Sequence, residues 1–339
     1  MRSRWNGVLG IVVSLCASLP AVGASEEIHG AGATFPAPVY TAWAEAYERE
    51  SGVRVFYDPI GSGAGIDRIR QHEIDFGATD APLSKEALAG ADLLQFPTVI
   101  GGVVPVINIR GIEPGRLKLN GAVLAGIYLG RIRKWNAAEI ASLNPGVSLP
   151  SANITVVHRA EPSGSTLLWS DYLSRSSTEW STKIGSSLMP SWPVGIGGDG
   201  NEGVASLVQR THFAIGYVEY FYARGHHLSD VALINRRGRF VKAGPESFAA
   251  AAGHTSIADL VNGTQFATDL DGEASWPITG ASFVLIDRRA AARARTRATL
   301  QFFEWALRHG EQSARELYFV PLPAGALDPL TERLRQAQQ

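Results

Sequence analysis

The 339-residue chain has one cysteine, Cys16, set in an apolar N-terminal stretch. The expected cleavage after Ala24 would remove it, leaving the mature protein without disulfides, a reactive thiol or the common cysteine-based zinc patterns. Charge of one sign is lacking as well: 31 Lys+Arg face 32 Asp+Glu, a formal net charge of −1. A nucleic-acid binder usually carries a basic stripe, so that partner class is disfavoured, and nothing calls for attachment to a membrane surface. Beyond the N-terminus no apolar run suits a bilayer span; even "FPTVIGGVVPVINIRG" is interrupted by Pro, Gly and Asn. The 36 glycines and 18 prolines are scattered, with no low-complexity tract and no repeat of solenoid length, which argues against disorder and repeat arrays.

Enzyme signatures are missing too. Gly61, Gly63 and Gly65 break the dinucleotide-binding spacing, because Ile66 stands where a third glycine is needed, and no Walker lysine follows a glycine-rich loop. Neither Ser62 nor Ser163 lies in a G-x-S-x-G elbow, since Ile60 and Glu161 occupy the required first glycine positions. The eight histidines form no helical H-E-x-x-H pair. His226 and His227 are adjacent and point in different directions, which suits surface residues, and His158 falls on the strand face opposite Arg159, which suits a core or interface role. No metal site and no cofactor are expected.

What is present begins with a secretory leader. Arg2 and Arg4 form the positive region, "VLGIVVSLCASLPAVG" the apolar core, and Val22 with Ala24 the small residues before the cut. Residues 1–24 are therefore expected to be a signal peptide and the product to be a soluble exported protein. Next, "FPAPVYTAWAEAYERESG" reads as a helix with Pro36 in its first turn and Gly52 closing it, "VRVFYDPIG" as a strand, "GSGAG" as a turn opening a helix through Ile66 and Ile69, and "IDFGATDAPL" as a strand. That alternation predicts an α/β layout with a parallel sheet. A second block starts near Asn108. "AVLAGIYLGRIRKWNAAEIASLN" is helical but punctuated by glycines, and "NITVVHRAEPSGSTLLWSDYL" is a strand, a polar loop and a helix. "HFAIGYVEYFYARG" reads as a strand and turn, and "ASFVLIDRRA" as a strand before a helix through Leu300, Phe303, Trp305 and Leu307.

Three segments, "GAGATFPAP", "IGSGAGID" and "HRAEPSGSTLL", share one form: a strand end, a run of Gly, Ser, Thr and Pro, then a helix. A helix start leaves backbone N–H groups unpaired and carries partial positive charge, so small residues there let an anion approach closely. One such loop is ordinary capping; three, one of them led by Arg159 at a strand's carboxyl end and one followed by "ATDAP", point to a shared anion site.

The segments "GAGATFPAPVYTAWAEAY", "DFGATDAPLS", "FPTVIGGVVPVIN", "YLGRIRKWN", "LPSANITVVHRAEPSGST", "AIGYVEY" and "WPITGASFVLI" together resemble the periplasmic phosphate-binding proteins of Pst-type phosphate ABC transporters, in family order through nearly all of the chain after the leader. The resemblance implies a two-domain α/β fold of the type II periplasmic-binding-protein class, with the ligand cleft between domains. Residues 25–107 would form the first part of domain I, 108–279 domain II, and 280–339 the return to domain I. It also implies a phosphate site in which Thr34, Phe35 and Ser62 donate, Asp80 accepts from the protonated phosphate, Arg159 contacts its oxygens, and Ser163, Gly164 and Ser165 donate from across the cleft. Two positions depart from the family pattern: Ser165 stands where Thr is common, and Glu161-Pro162 where Asp-Gly is common, so Glu161 would have to steady Arg159 with a longer arm.

The implied partners are inorganic phosphate and the membrane permease subunits of the transporter, with a monomer as the working unit. A carboxylate facing the ligand demands a ligand proton, which sulfate lacks at neutral pH; sites demanding such a bond reject analogues by about 10⁴–10⁵. Arsenate carries the same proton and would be excluded far less. The competing readings are a receptor for another tetrahedral oxyanion, and a secreted phosphatase or esterase using Ser62 or Ser163.

Overall fold

A computed structural model describes residues 27–262, 268–289 and 293–338, with no account of the side chains of residues 262, 293 and 294. The expected signal peptide lies outside the described residues.

The chain opens with β1 (Glu27–Gly32), α1 (Ala37–Ser51), β2 (Arg54–Asp58), α2 (Ser62–Arg70) and β3 (Phe76–Thr79). α1 forms as its pattern predicts: Pro sits in its first turn, Val39, Tyr40, Trp43 and Tyr47 are buried, and Gly52 ends it at φ 75° with its N–H on the Glu48 carbonyl at 2.9 Å. β1 runs parallel to both β2 and β3, so the carboxyl ends of the three strands lie together. Thr34, Ser62 and Asp80 follow those ends.

α3 (Lys85–Ala91) leads into β4 (Leu93–Ile107), whose fifteen residues are all buried. There follow β5 (Lys118–Leu119), α4 (Gly121–Tyr128), α5 (Ala138–Ala141), β6 (Thr155–Arg159), α6 (Gly164–Ser176), α7 (Thr178–Lys183), β7 (Ile196–Gly198), α8 (Gly200–Arg210), β8 (Ala214–Glu219) and α9 (Tyr220–Gly225). The remainder comprises β9 (Ser229–Asp230), β10 (Ala232–Ile234), β11 (Phe240–Val241), α10 (Pro245–Ala252), α11 (Ile257–Asn262), β12 (Thr279–Asp287), α12 (Arg293–His309), α13 (Glu311–Glu316), β13 (Val320–Pro321) and α14 (Ala324–Ala337).

The main sheet has the order β2-β1-β3-β12-β4-β8-β6-β7. It is mixed rather than wholly parallel as the β–α–β alternation suggests, because β12 enters antiparallel between β3 and β4, and β4 is antiparallel to β8. β4 changes partner along its length: Leu93–Gly102 pairs with β12 and Val103–Ile107 with β8. On the far side β6 lies parallel to β7 and β8, which puts Arg159 at its carboxyl end.

Aromatic packing anchors both groups of strands. Phe76 meets Phe303 edge-on at 4.9 Å and Tyr40 meets Tyr57 at 5.1 Å, while Trp169 stacks on Tyr217 at 4.7 Å. Each fully buried ring of this kind contributes about 1.5–3 kcal/mol. α12 buries Leu300, Phe303 and Leu307, but Trp305 falls off that stripe, stays partly exposed and donates its indole N–H to Glu50 at 2.9 Å. The segment after β8 is a short helix, not a turn, because the Glu219 carboxylate caps it by accepting the Phe221 N–H at 2.8 Å. His158 stacks on Trp192 at 4.8 Å, in keeping with a packing role.

Candidate functional site

All eight residues predicted from the sequence, Thr34, Phe35, Ser62, Asp80, Arg159, Ser163, Gly164 and Ser165, are buried. Ser62, Asp80 and Gly164 meet directly: the Ser62 hydroxyl oxygen accepts the Asp80 N–H at 3.3 Å and the Gly164 N–H at 3.1 Å. The start of α6 can press this closely on β3 because residue 164 has no side chain; a Cβ there would lie 2.5 Å from that of Asp80. A second contact joins the same two loops, with the Gly63 N–H on the Pro162 carbonyl at 3.1 Å.

The remaining predicted residues divide by role. The Phe35 ring belongs to the core, 5.9 Å from Phe319, so only its backbone can serve the site. Ser163 caps α6, its Oγ accepting the Thr166 N–H at 3.3 Å. The Ser165 hydroxyl is buried with no hydrogen-bond partner, a condition costing about 1–3 kcal/mol unless something fills it. Thr34 is held by residues outside the predicted set. Its hydroxyl oxygen accepts the Asn201 backbone N–H at 3.2 Å and side-chain Nδ2–H at 2.8 Å, and its carbonyl accepts the Tyr222 hydroxyl at 2.7 Å.

The electrostatics separate two carboxylates. Burial pushes Asp80 up to about 7, while a hydrogen bond from the Ser282 hydroxyl and the charge of Arg159 pull it down. Glu161 is ion-paired with the buried Arg159 guanidinium, with Nε donating to Oε1 at 2.9 Å, and the same oxygen accepts the Gly200 N–H at the start of α8 at 3.1 Å. The longer arm expected of Glu161 therefore reaches the arginine. Behind them Glu219 is fully buried, and desolvation drives its carboxyl well above the usual range.

Sequence reasoning missed Asn201, Tyr222, Ser282 and Glu219. Ser282 carried a faint signal, a lone hydroxyl inside the apolar run "ASFVLI"; Asn201 in "DGNEG" has ordinary turn composition. A cleft of about 390 Å³ lined by Thr34, Ile60, Glu161, Asp199, Glu202 and Tyr222 flanks the site. A larger cavity of about 550 Å³ lies elsewhere, along Ile127, Arg133, Ile154 and Val194, without a comparable gathering of buried donors; donors rather than volume mark the site. Among the described residues no group of three or more His, Cys, Asp or Glu is placed to hold a metal ion, and no helix is long and apolar enough to cross a membrane.

The arrangement is a buried cradle of backbone amides and hydroxyls with one guanidinium and one carboxyl of raised pKa, suited to holding an anion that carries a proton. Comparison with known proteins gives the same direction. Residues 20–308 match the family model described as a PBP superfamily domain. The phosphate-binding protein PstS of Pasteurella multocida is 48% identical over 299 residues, covering 88% of this chain and 87% of that one. PstS of Haemophilus influenzae is 45% identical over 306 residues, covering 90% and 92%. Among solved structures, the high-affinity periplasmic phosphate-binding protein PfluDING, solved with phosphate bound, superposes with a TM-score of 0.69 at 19% identity, covering 90% of this chain and 93% of that one. The phosphate-binding protein of Stenotrophomonas maltophilia gives 0.63 at 17%, covering 91% and 94%. The fold is thus the two-domain, type II α/β fold of periplasmic binding proteins, and the chain belongs to the PstS family of phosphate-binding proteins within the PBP superfamily.

Proposed function

We propose that this protein is a periplasmic receptor, exported through its N-terminal leader, that captures inorganic phosphate in the cradle and delivers it to the membrane permease of an ABC importer. The observation that carries the reading is Asp80, a buried carboxyl of raised pKa set beside the amides and hydroxyls of two helix starts. In this reading Thr34, Phe35 and Ser62 donate to the ligand from one side and Ser163, Gly164 and Ser165 from the other, with Arg159 on its oxygens; the Gly164 N–H, received here by the Ser62 hydroxyl, turns from that hydroxyl to the ligand. A dianion held by one arginine and no metal depends on such donors, each charge-assisted bond contributing about 1.5–3 kcal/mol. Ser165, buried and without a partner, is the donor most in need of a ligand.

The domain division follows the same proposal: residues 25–107 and 280–339 on one side of the cleft and 108–279 on the other, closing by a hinge. The pairing of β12 with β3 supports assigning the C-terminal block to the first side. Turnover is not part of the proposal. The Ser163 hydroxyl oxygen is engaged by the Thr166 amide, and among the described residues the hydrogen bonds of Ser62 and Ser163 involve no histidine that could serve as a base.

The test is equilibrium phosphate binding at pH 8 with excess sulfate as competitor, on the wild type and Asp80→Asn. The wild type should hold phosphate against sulfate, and Asp80→Asn should lose most of that preference; ready displacement by sulfate in the wild type sinks the reading.

A further inference from the structure

The orientation of one hydroxyl in the cradle is decided by hydrogen-bond logic rather than by the ligand. A threonine hydroxyl has one hydrogen to give and two lone pairs to receive with. At Thr34 both lone pairs are taken by donors, the backbone N–H of Asn201 at 3.2 Å and its Nδ2–H at 2.8 Å. Which end of the Asn201 amide faces Thr34 is fixed by a third group. The Glu219 backbone N–H, which can only donate, lies 2.9 Å from the opposite atom, so that atom is the carbonyl Oδ1 and the Thr34-facing atom is the nitrogen.

Asn201 is fully buried, and its own N–H is one of the free amides in the first turn of α8. No rotation within this arrangement lets the Thr34 hydroxyl receive a further hydrogen bond.

We infer that Asn201 is a positioning residue which turns the Thr34 hydroxyl into an obligate donor toward the bound anion, so that this corner of the cradle takes only an unprotonated ligand oxygen. The inference rests on the reading of the cradle as a phosphate site. It directs the ligand's proton away from Thr34, toward Asp80.

The experiment is a double-mutant cycle read by phosphate titration. Asn201→Ala should weaken phosphate binding about 10-fold in the wild-type background, the loss expected for one misdirected charge-assisted bond, and by less than about 2-fold in Thr34→Val. Thr34→Ser, which keeps the hydroxyl, should restore the full Asn201 effect. A role confined to supporting the fold would give equal losses in both backgrounds, and that result overturns the inference. If Asn201→Ala does not fold, Asn201→Asp keeps the acceptor for Glu219. It should then cost more with the Thr34 hydroxyl present than in Thr34→Val, and equal costs overturn the inference likewise. A wild type that binds no phosphate overturns the functional reading itself, whereas wild-type binding with no coupling between Asn201 and Thr34 overturns this inference alone.

Discussion

At the start of α2 the cap position is Gly61 and no side chain receives the first amides; at the start of α6 Ser163 does so. The carboxylates beside the two helix starts differ in the same way. Asp80 has a serine hydroxyl as its hydrogen-bond donor, and burial carries it to about 7; Glu161 is bound to Arg159 and to the first amide of α8. One side of the cradle is left chemically open, with a carboxyl of raised pKa that no cation among the described residues pairs directly, and the other is closed into a fixed cationic arm. The same functional group is given two jobs by its neighbours, as desolvation and ion pairing act on a carboxyl in opposite directions.

The strongest way to break this contrast is Arg159→Ala. It removes the cation and leaves the largely buried Glu161 carboxylate unpaired, so phosphate affinity measured by calorimetry should fall about 100- to 1000-fold. Ser165→Thr keeps its hydroxyl and should change affinity by less than about 3-fold; equal effects would remove Arg159 from the site.

Next in size is a pH effect on the open side. Above about 7 Asp80 is ionised and tolerates only a ligand that brings a proton; below it the carboxyl carries its own and can donate to sulfate. Sulfate should therefore compete with phosphate about 10-fold better at pH 5 than at pH 8. The ratio in Asp80→Asn should keep only the pH dependence that phosphate's own second ionisation brings, and a wild type that follows the same curve as Asp80→Asn would contradict the role given to Asp80.

A smaller effect tests whether the two sides meet when the site closes. A Cβ at Gly63 would come within 2.6 Å of the Pro162 Cβ, so Gly63→Ala should weaken phosphate binding about 5- to 10-fold. Because residue 63 lies in α2, the same change should raise the ligand-free melting temperature slightly through helix propensity. Affinity and melting temperature falling together would point to misfolding instead.

How far this contrast could be read from the chain depends on sequence distance. The loops at Thr34, Ser62 and Ser163 were legible because strand, small residues and helix follow one another within a few positions, and Arg159 was legible from the two-residue period of its strand. Asn201, Ser282 and Glu219 were not. Two of them act on partners far along the chain, Asn201 on Thr34 and Ser282 on Asp80, and neither periodicity nor turn composition reports such pairings. The same limit explains the sheet. Local alternation predicts that β2 and β3 run parallel, which is correct, although each pairs with β1 rather than with the other, and it cannot announce an antiparallel strand arriving from far along the chain between β3 and β4.

That late strand shapes how the molecule can be made. Ser282 and Asp80 stand 202 positions apart, yet they are bonded across neighbouring strands. Until residues 279–287 emerge, β3 and β4 each present a bare edge to any other strand nearby, and closing so long a loop is slow. The carboxyl proposed to read the ligand's proton thus gains its hydroxyl partner only from a late part of the chain, and a nascent or truncated polypeptide lacking that strand should bind phosphate poorly and be prone to stick to its neighbours.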